Sequence, residues 1–269
     1  MFNPERHIVE EYVTGRELED YSLELGVDPS FLEGKSVLNY GCGGSNIGRD
    51  LKDRGMQTKV YNADILPNPH TLQDESWARY SSEIFKRQAI MARKIRESND
   101  PQMIFSEIEE HENRMLGIEG RNFLQVQDGL RLELADDAID VTLLLYVLHQ
   151  ISRFEVTEAC KEIFRVTKQV VFIFPVSRAL LRDLEEAAQQ QGFILKKAFN
   201  NNMKNTLPPQ ISTEADLLTT DISGIEDIDY EVSMDDGDFP RSITNSNLGS
   251  VVFVKKEYLD IIEREAAKE

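Results

Sequence analysis

The periodicity of the apolar residues changes at Gly34. Before it, apolar side chains recur at helical spacing over residues 5–31, which predicts one or two amphipathic helices ending near Gly26 and Pro29. After it, residues 35–40 read KSVLNY, a short run with an apolar centre that is bounded by glycines. Such a run is typical of a buried strand.

Strands and helices alternate along most of the chain that follows. Residues 141–145 are almost continuously apolar, which indicates a strand covered by helices on both faces. The predicted strands are residues 35–40, 58–65, 122–129, a run within 138–151, 169–177, 193–199 and 249–257, and the predicted helices are 45–55, 152–168 and 178–192. This alternation predicts an α/β fold with a doubly wound, mostly parallel sheet. The final two predicted strands are similar in their apolar character, which would allow them to pair antiparallel.

We expect one main domain with additions, since 269 residues suit a single large α/β unit. Residues 1–33 are predicted to form an N-terminal helical cap, and residues 34–269 the main domain. Two insertions interrupt the alternation, a helical one at about residues 67–122 and a polar one at about residues 200–248.

Composition narrows the classes of partner. The chain has 30 basic and 48 acidic residues, a net charge of -18, and a field of this sign repels phosphate backbones and anionic membrane surfaces. Its two cysteines, Cys42 and Cys160, cannot build a disulfide framework or a zinc site, and its four histidines are scattered, so we expect no metal. The first 15 residues contain no apolar stretch of signal-peptide length, and a cytoplasmic setting is therefore expected.

A glycine-rich turn follows the first predicted strand. Residues 37–48 read VLNYGCGGSNIG, and glycine lets a backbone turn sharply and approach a ligand closely. The dinucleotide fingerprint would need a third glycine at position 46, which is Asn46, and the Lys-Ser/Thr ending of a P-loop is also missing. A phosphate group is therefore not the expected ligand, and a tight turn without any ligand stays open as an alternative.

Carboxylates follow the next two strands. Asp64 ends the second predicted strand and Asp128 lies at the end of the third. A carboxylate about 20 residues past a glycine turn can accept hydrogen bonds from ribose hydroxyls, although a lone Asp in such a place is more often a turn or cap residue. Three successive strand ends with a glycine turn and two carboxylates favour a ligand that carries adenosine.

The order of these motifs resembles class I S-adenosylmethionine-dependent methyltransferases of the small-molecule type. The segments that carry the resemblance are VLNYGCGGS, VYNADI, FLQVQDG, LELADDAIDVTLLLYVLHQIS and CKEIFRVTKQVVFIF, within residues 31–199, with a last strand at 251–255. The resemblance implies a Rossmann-like sheet with an antiparallel last strand, S-adenosylmethionine as cofactor and S-adenosylhomocysteine as product. It also implies an enzyme with a small-molecule substrate. The negative charge argues against a nucleic-acid or membrane partner, and the expected cytoplasmic setting rests on the N-terminal residues.

The family pattern also implies where the cofactor lies. The expected contacts are Gly41, Cys42 and Gly43 at its methionine part, Asp64 at the ribose hydroxyls, Asp128 with Gly129 at the adenine edge, and Leu145 and Tyr146 beside the methionine. Asn39 and Ser45 belong to the same motif but stand where the family usually has an acidic residue and a third glycine. Because Asn lacks the charge, the first departure predicts a reduced affinity for the cofactor.

The sequence does not identify the molecule that accepts the methyl group. A hydroxyl or an acidic carbon would need a base, and His149 after the fourth strand is the candidate; a histidine that only bonds to backbone is the alternative. Two other functions stay open, a methyltransferase-like partner without catalysis and a methyltransferase acting on a basic protein. The reacting atom and the oligomeric state do not follow from the sequence.

Overall fold

The computed structural model describes residues 17–42, 45, 47–64, 123–126, 131–148, 151, 155–200, 208–222 and 249–268. The predicted insertion at residues 67–122 lies outside the described residues, as does most of the one at 200–248. The proposed division into a cap of residues 1–33 and a main domain therefore stays a prediction.

The described residues form a seven-stranded sheet flanked by helices. Its strands are β1 (Ser36–Tyr40), β2 (Lys59–Asp64), β3 (Phe123–Gln125), β4 (Ile139–Leu145), β5 (Thr167–Val176), β6 (Phe193–Asn200) and β7 (Gly249–Lys255). The helices are α1 (Leu18–Leu25), α2 (Ile47–Asp53), α3 (Val156–Val166), α4 (Arg178–Gln190) and α5 (Lys256–Ala266). The strand order is β3-β2-β1-β4-β5-β7-β6.

The predicted fold class is confirmed. Strands β1 to β5 pair in parallel, and β7 runs antiparallel to both β5 and β6. The order reverses between β1 and β4, because the chain builds outward through β2 and β3 before it returns to β4. In open α/β sheets, this switch point at the carboxyl ends of the strands is where ligands bind.

Helices cover both faces of the sheet, as the unbroken apolar strands predicted. Helices α3 and α4 bury one face, and α1, α2 and α5 bury the other. Successive residues of β1 alternate between the two faces: Leu38 and Tyr40 belong to the cluster that contains α3 and α4, and Val37 to the cluster that contains α1, α2 and α5. The two faces of one central strand therefore belong to two separate hydrophobic clusters.

Two features differ clearly from the sequence-based expectation, the start of one strand and an additional helix. Strand β5 begins at Thr167, inside the predicted helix 152–168, because Thr167 already pairs with Ile139 of β4. Helix α5 follows β7 directly and was not predicted; Leu259 and Ile262 are its buried residues. The helix was not recognised in the sequence because its many charged residues leave only a short apolar stripe to pack against the sheet.

Residues 208–222 form a strap that joins α1 to the edge of the sheet. The Ile211 amide donates to the carbonyl of Gly26, just after α1, and the Asp28 amide donates to the carbonyl of Ile211. At the other end, the Lys196 Nζ on β6 donates to the carbonyl of Leu218, at 3.0 Å. This part of the polar insertion is thus bound to the body of the fold at both of its ends.

Candidate functional site

The carboxyl ends of four neighbouring strands meet at the switch point. Tyr40 of β1 is in register with Ala63 of β2 and with Leu144 of β4. The residues that follow these positions, Gly41, Asp64 and Leu145, therefore lie side by side at one edge of the sheet. Strand β3 adds its own end, because Asp64 pairs with Gln125. The sequence-predicted residues Gly41, Asp64 and Leu145 therefore come together here.

The turn after β1 is held by the backbone of β2. The amides of Gly41 and Cys42 both donate to the carbonyl of Ala63, at 2.7 and 3.1 Å. Gly41 has φ +68°, a left-handed conformation that favours glycine. A β-carbon at Gly41 would lie 2.5 Å from both Cγ atoms of Val147. The space left by the missing side chain is therefore occupied by the chain itself, beyond the end of β4.

Ser45 of the turn belongs to a buried set of polar side chains, and we call Tyr21, Asn39, Ser45 and Asn62 the Tyr21 cluster. The Tyr21 hydroxyl of α1 lies 2.8 Å from Asn39 Oδ1 and 3.0 Å from Ser45 Oγ. Asn39 Nδ2 donates to Asn62 Oδ1 at 3.0 Å. Ser45 Oγ also accepts from the amide of Ile47, the first residue of α2, at 3.3 Å. This bond satisfies one of the amides that a helix N-terminus leaves without a partner.

Asp64 closes β2 beside this turn. Its side chain is largely buried, with 8% of the residue exposed, and its carbonyl accepts from the amide of Val126 at 2.9 Å. Burial raises the pKa of the neighbouring Tyr40 above its ordinary value, and the charge of Asp64 adds to this rise. An acidic group therefore lies at the strand ends, where it can accept hydrogen bonds from ligand hydroxyls.

Tyr146 forms the other side of the switch point. It follows β4 with φ +58°, a conformation that is uncommon for a residue with a side chain and that clusters at functional sites. Its amide donates to the carbonyl of Phe174 at 2.7 Å, and the two rings stack edge to face with centroids 5.2 Å apart. Its hydroxyl donates to Glu24 Oε1 of α1 at 3.2 Å. Tyr146 is partly exposed, whereas Leu145 is fully buried in the core.

Four of the predicted site residues lie outside the described residues: Gly43, Asp128, Gly129 and His149. Their proposed contacts stay predictions. Asn39, Gly41, Cys42, Ser45, Asp64, Leu145 and Tyr146 are described, and they lie together at the carboxyl edge of the central strands.

Sequence reasoning missed the two residues by which α1 reaches this edge, Tyr21 and Glu24. A signal for Tyr21 was present, since Leu18, Tyr21 and Leu25 form the buried stripe of α1. A buried tyrosine usually bonds its hydroxyl to a polar partner. Which partner it meets depends on how α1 lies across the sheet, and the local sequence does not contain that information.

The chemistry of metals and thiols has little support in the described part of the chain. No group of three His, Cys, Asp or Glu side chains there could hold a metal ion. Burial raises the pKa of the Cys160 thiol to about 12, so the thiol stays protonated at neutral pH. Among the residues that the structure describes, no helix is both long enough and apolar enough to cross a membrane.

Several solved structures, methyltransferases among them, resemble this chain. Magnesium protoporphyrin IX methyltransferase from Synechocystis PCC 6803, solved with bound S-adenosylhomocysteine, is 12% identical, with 84% of this chain and 76% of that chain covered and a TM-score of 0.37. The cyclase SpnF is 12% identical, with 93% and 80% covered and a TM-score of 0.40. A S-adenosylmethionine-dependent methyltransferase from Archaeoglobus fulgidus is 14% identical, with 93% and 94% covered and a TM-score of 0.36.

No family model matches the chain, and no curated protein is significantly similar to it. Structural similarity at such low sequence identities and TM-scores does not indicate which activity this chain has. The fold is therefore assigned from the strand order and pairing of the chain itself.

Proposed function

We propose that this protein transfers a methyl group from S-adenosylmethionine to a small organic acceptor. The observation that carries the proposal is the convergence of the Gly41 turn, Asp64 and Tyr146 at the switch point between β1 and β4. A turn with little side-chain bulk, a carboxylate and an aromatic ring match the parts of the cofactor: its methionine end, its ribose hydroxyls and its sulfonium.

The residues at this edge fit the cofactor chemically. The Asp64 carboxylate is an acceptor for the two ribose hydroxyls, and the backbone at Gly41 and Cys42 would lie along the methionine part. Tyr146, with Phe174 behind its ring, would bound the side on which the acceptor enters. The cofactor supplies an activated methyl group, so the chain mainly has to orient the acceptor and exclude water from it.

His149 is the proposed base for a hydroxyl or acidic-carbon acceptor, on sequence grounds alone. Its ordinary pKa lies near neutrality, which suits removal of a proton from the acceptor. We expect His149→Ala to lower the methyl-transfer rate without weakening cofactor binding. A rate equal to that of the wild type would assign His149 to the scaffold.

Calorimetric titration with S-adenosylmethionine and with S-adenosylhomocysteine tests the proposal first. We expect both to bind, and Asp64→Ala to weaken binding by about 1–3 kcal/mol, because a charged hydrogen-bond acceptor is lost. Asp53→Ala is the matched control, since Asp53 is an exposed carboxylate at the end of α2. If the Asp64 and Asp53 variants bind the ligands with equal affinity, the ribose hydroxyls do not bind to Asp64.

Transfer of radiolabelled methyl to a panel of small molecules and to basic peptides tests the substrate class. Label in the small molecules is the expected result. Label only in peptides would support the alternative in which an acidic protein, net charge -18, methylates a basic one. If neither ligand binds in the titration, the chain is a methyltransferase-like partner without catalysis, and the proposal is rejected.

A further inference from the structure

One tyrosine contacts both positions at which the glycine turn departs from the methyltransferase pattern. The Tyr21 hydroxyl lies 2.8 Å from Asn39 Oδ1, where an acidic residue is usual, and 3.0 Å from Ser45 Oγ, where a glycine is usual. All three residues are buried, with exposed fractions of 0%, 0% and 1%. Two substitutions that look independent along the chain therefore meet at a single atom.

We propose that Tyr21 is a positioning residue for the cofactor turn. It joins Ser45 to the end of β1 through Asn39, and so sets the turn in its binding conformation before the ligand arrives. This inference rests on the proposed function, and it concerns how this chain builds the site rather than which groups touch the cofactor.

The hydrogen bonds of the Tyr21 cluster connect the two departures. A phenol has one proton, so Tyr21 can donate to Asn39 Oδ1 and accept from the Ser45 hydroxyl. Asn39 then uses its Nδ2 to donate to Asn62, which a carboxylate at this position could not do. A glycine at position 45 would remove the oxygen that serves both Tyr21 and the Ile47 amide. On this inference the two departures act together, and we expect Tyr21 and Ser45 to offset the loss of cofactor affinity expected from Asn39 alone.

Helix α1 is fixed firmly enough to act as a support. At its start, the Leu18 amide donates to Asp50 Oδ2 of α2 at 3.1 Å. One turn beyond Tyr21, Glu24 accepts from the Tyr146 hydroxyl at 3.2 Å, across the switch point. Past its end, the strap contacts Gly26, where an added β-carbon would lie 2.9 Å from the carbonyl oxygen of Pro209. Tyr21 therefore projects from a helix that is held near both of its ends.

Tyr21→Phe is the direct test, because it keeps the buried ring and removes only the hydroxyl. We expect the affinity for S-adenosylhomocysteine to fall about tenfold, the effect of one buried hydrogen bond. Amide hydrogen exchange at Cys42, Ser45 and Ile47 should become faster in the free protein. The matched control is Tyr258→Phe, which removes a hydroxyl bonded to Glu214 at 3.1 Å, away from the turn, and should leave both measurements unchanged.

Once an acceptor is known, kinetics add a readout that general destabilisation would not produce. Tyr21→Phe should raise the KM for the cofactor and leave kcat within about twofold, since Tyr21 acts on the turn and not on the reacting atoms. A matching fall of kcat with unchanged KM would contradict a positioning role.

Ser45→Gly restores the usual family residue and provides the sharpest contrast. If Ser45 were a neutral or damaging departure, the variant would bind S-adenosylhomocysteine as tightly as the wild type or more tightly. The Tyr21 cluster predicts weaker binding instead, because Tyr21 and the Ile47 amide both lose a partner. This variant also keeps the inference testable if Tyr21→Phe fails to fold.

The outcomes separate this inference from the proposed function. A wild-type protein that does not bind S-adenosylhomocysteine overturns both. Binding by the wild type with equal affinity and equal amide exchange in Tyr21→Phe overturns the positioning role and leaves the proposed function standing.

Discussion

Gly41 shows how a single residue can serve the fold and the site together. Its left-handed φ of +68° lets the chain turn at the end of β1, and its missing β-carbon admits Val147 from the end of β4. The sequence suggested that the glycine leaves room for a cofactor. In the structure, the Val147 side chain occupies this space, and the glycine thereby lets the ends of β1 and β4 lie close together.

Gly41→Ala should therefore destabilise the protein more than a positive φ alone would. We expect a loss of about 2–4 kcal/mol in the free energy of unfolding, from strained backbone plus overlap with the Val147 methyl groups. Gly34→Ala is the matched control, because Gly34 has φ +72° with open space around it, and it should cost about 1 kcal/mol. Equal losses in urea denaturation of the two variants would show that Val147 moves aside freely.

Hydrogen bonds and ion pairs of two charged residues, Glu162 and Arg165, connect helix α3 to the segment that precedes β4. Glu162 Oε1 accepts from the Leu132 amide at 2.7 Å, and both of its oxygens accept from Arg165, at 2.6 and 2.8 Å. Arg165 also donates to Asp136 Oδ1 at 2.6 Å. Burial opposes ionisation of Glu162, but the bonds from Arg165 and Leu132 outweigh it, and the pKa of Glu162 is lowered from its usual 4.5.

A lowered carboxylate pKa makes this contribution to stability depend on pH. It is complete above about pH 4.5 and is lost as the pH falls through the lower pKa of the folded state. Glu162→Gln should lower the free energy of unfolding by about 1–3 kcal/mol at pH 7, and the difference from wild type should shrink as the pH falls below 4.5.

Urea denaturation at several pH values measures this difference. Glu158→Gln on the same helix is the matched control, since Glu158 bonds to Lys161 with 61% of its side chain exposed and such surface pairs contribute little. A difference that stays constant down to pH 3 would show that Glu162 acts through packing rather than charge.

At the scale of the whole molecule, the candidate site lies at the centre of the sheet. The central strands β1 and β4 bound the switch point, and each contributes residues to both hydrophobic clusters. A ligand bound between them would contact strands that belong to both hydrophobic clusters. Its binding energy should therefore stabilise the whole cooperative unit and not only a surface loop.

S-adenosylhomocysteine should accordingly raise the melting temperature of the entire transition. At a hundred times its Kd, the ligand adds about 2.7 kcal/mol, which corresponds to a rise of at least about 5 °C for a chain of this size. Calorimetric scanning measures the shift, and Asp64→Ala should reduce it at the same ligand concentration. A shift limited to a minor early transition would contradict a site at the centre of the sheet.

Much of this architecture could be predicted, and particular residues show where prediction stopped. The short run KSVLNY before Gly41 predicted β1. The apolar run at 141–145 predicted β4, because burial on both faces leaves no polar alternation. Helix α5 was missed because its charged residues obscure the stripe of Leu259 and Ile262. The strap at residues 208–222 was missed because its bonds to Gly26 and Lys196 connect segments that are remote in sequence.

The sequence by itself determined the alternation of elements, the turn at Gly41 and the carboxylate at Asp64, since these depend on backbone conformation and on the local period of burial. The tertiary structure alone decided that Tyr21 reaches Asn39 and Ser45, and that Val147 occupies the space beside Gly41. These contacts join residues 18 to 106 positions apart. Which side chains meet across such distances depends on how helices lie on the sheet, and no local pattern encodes that.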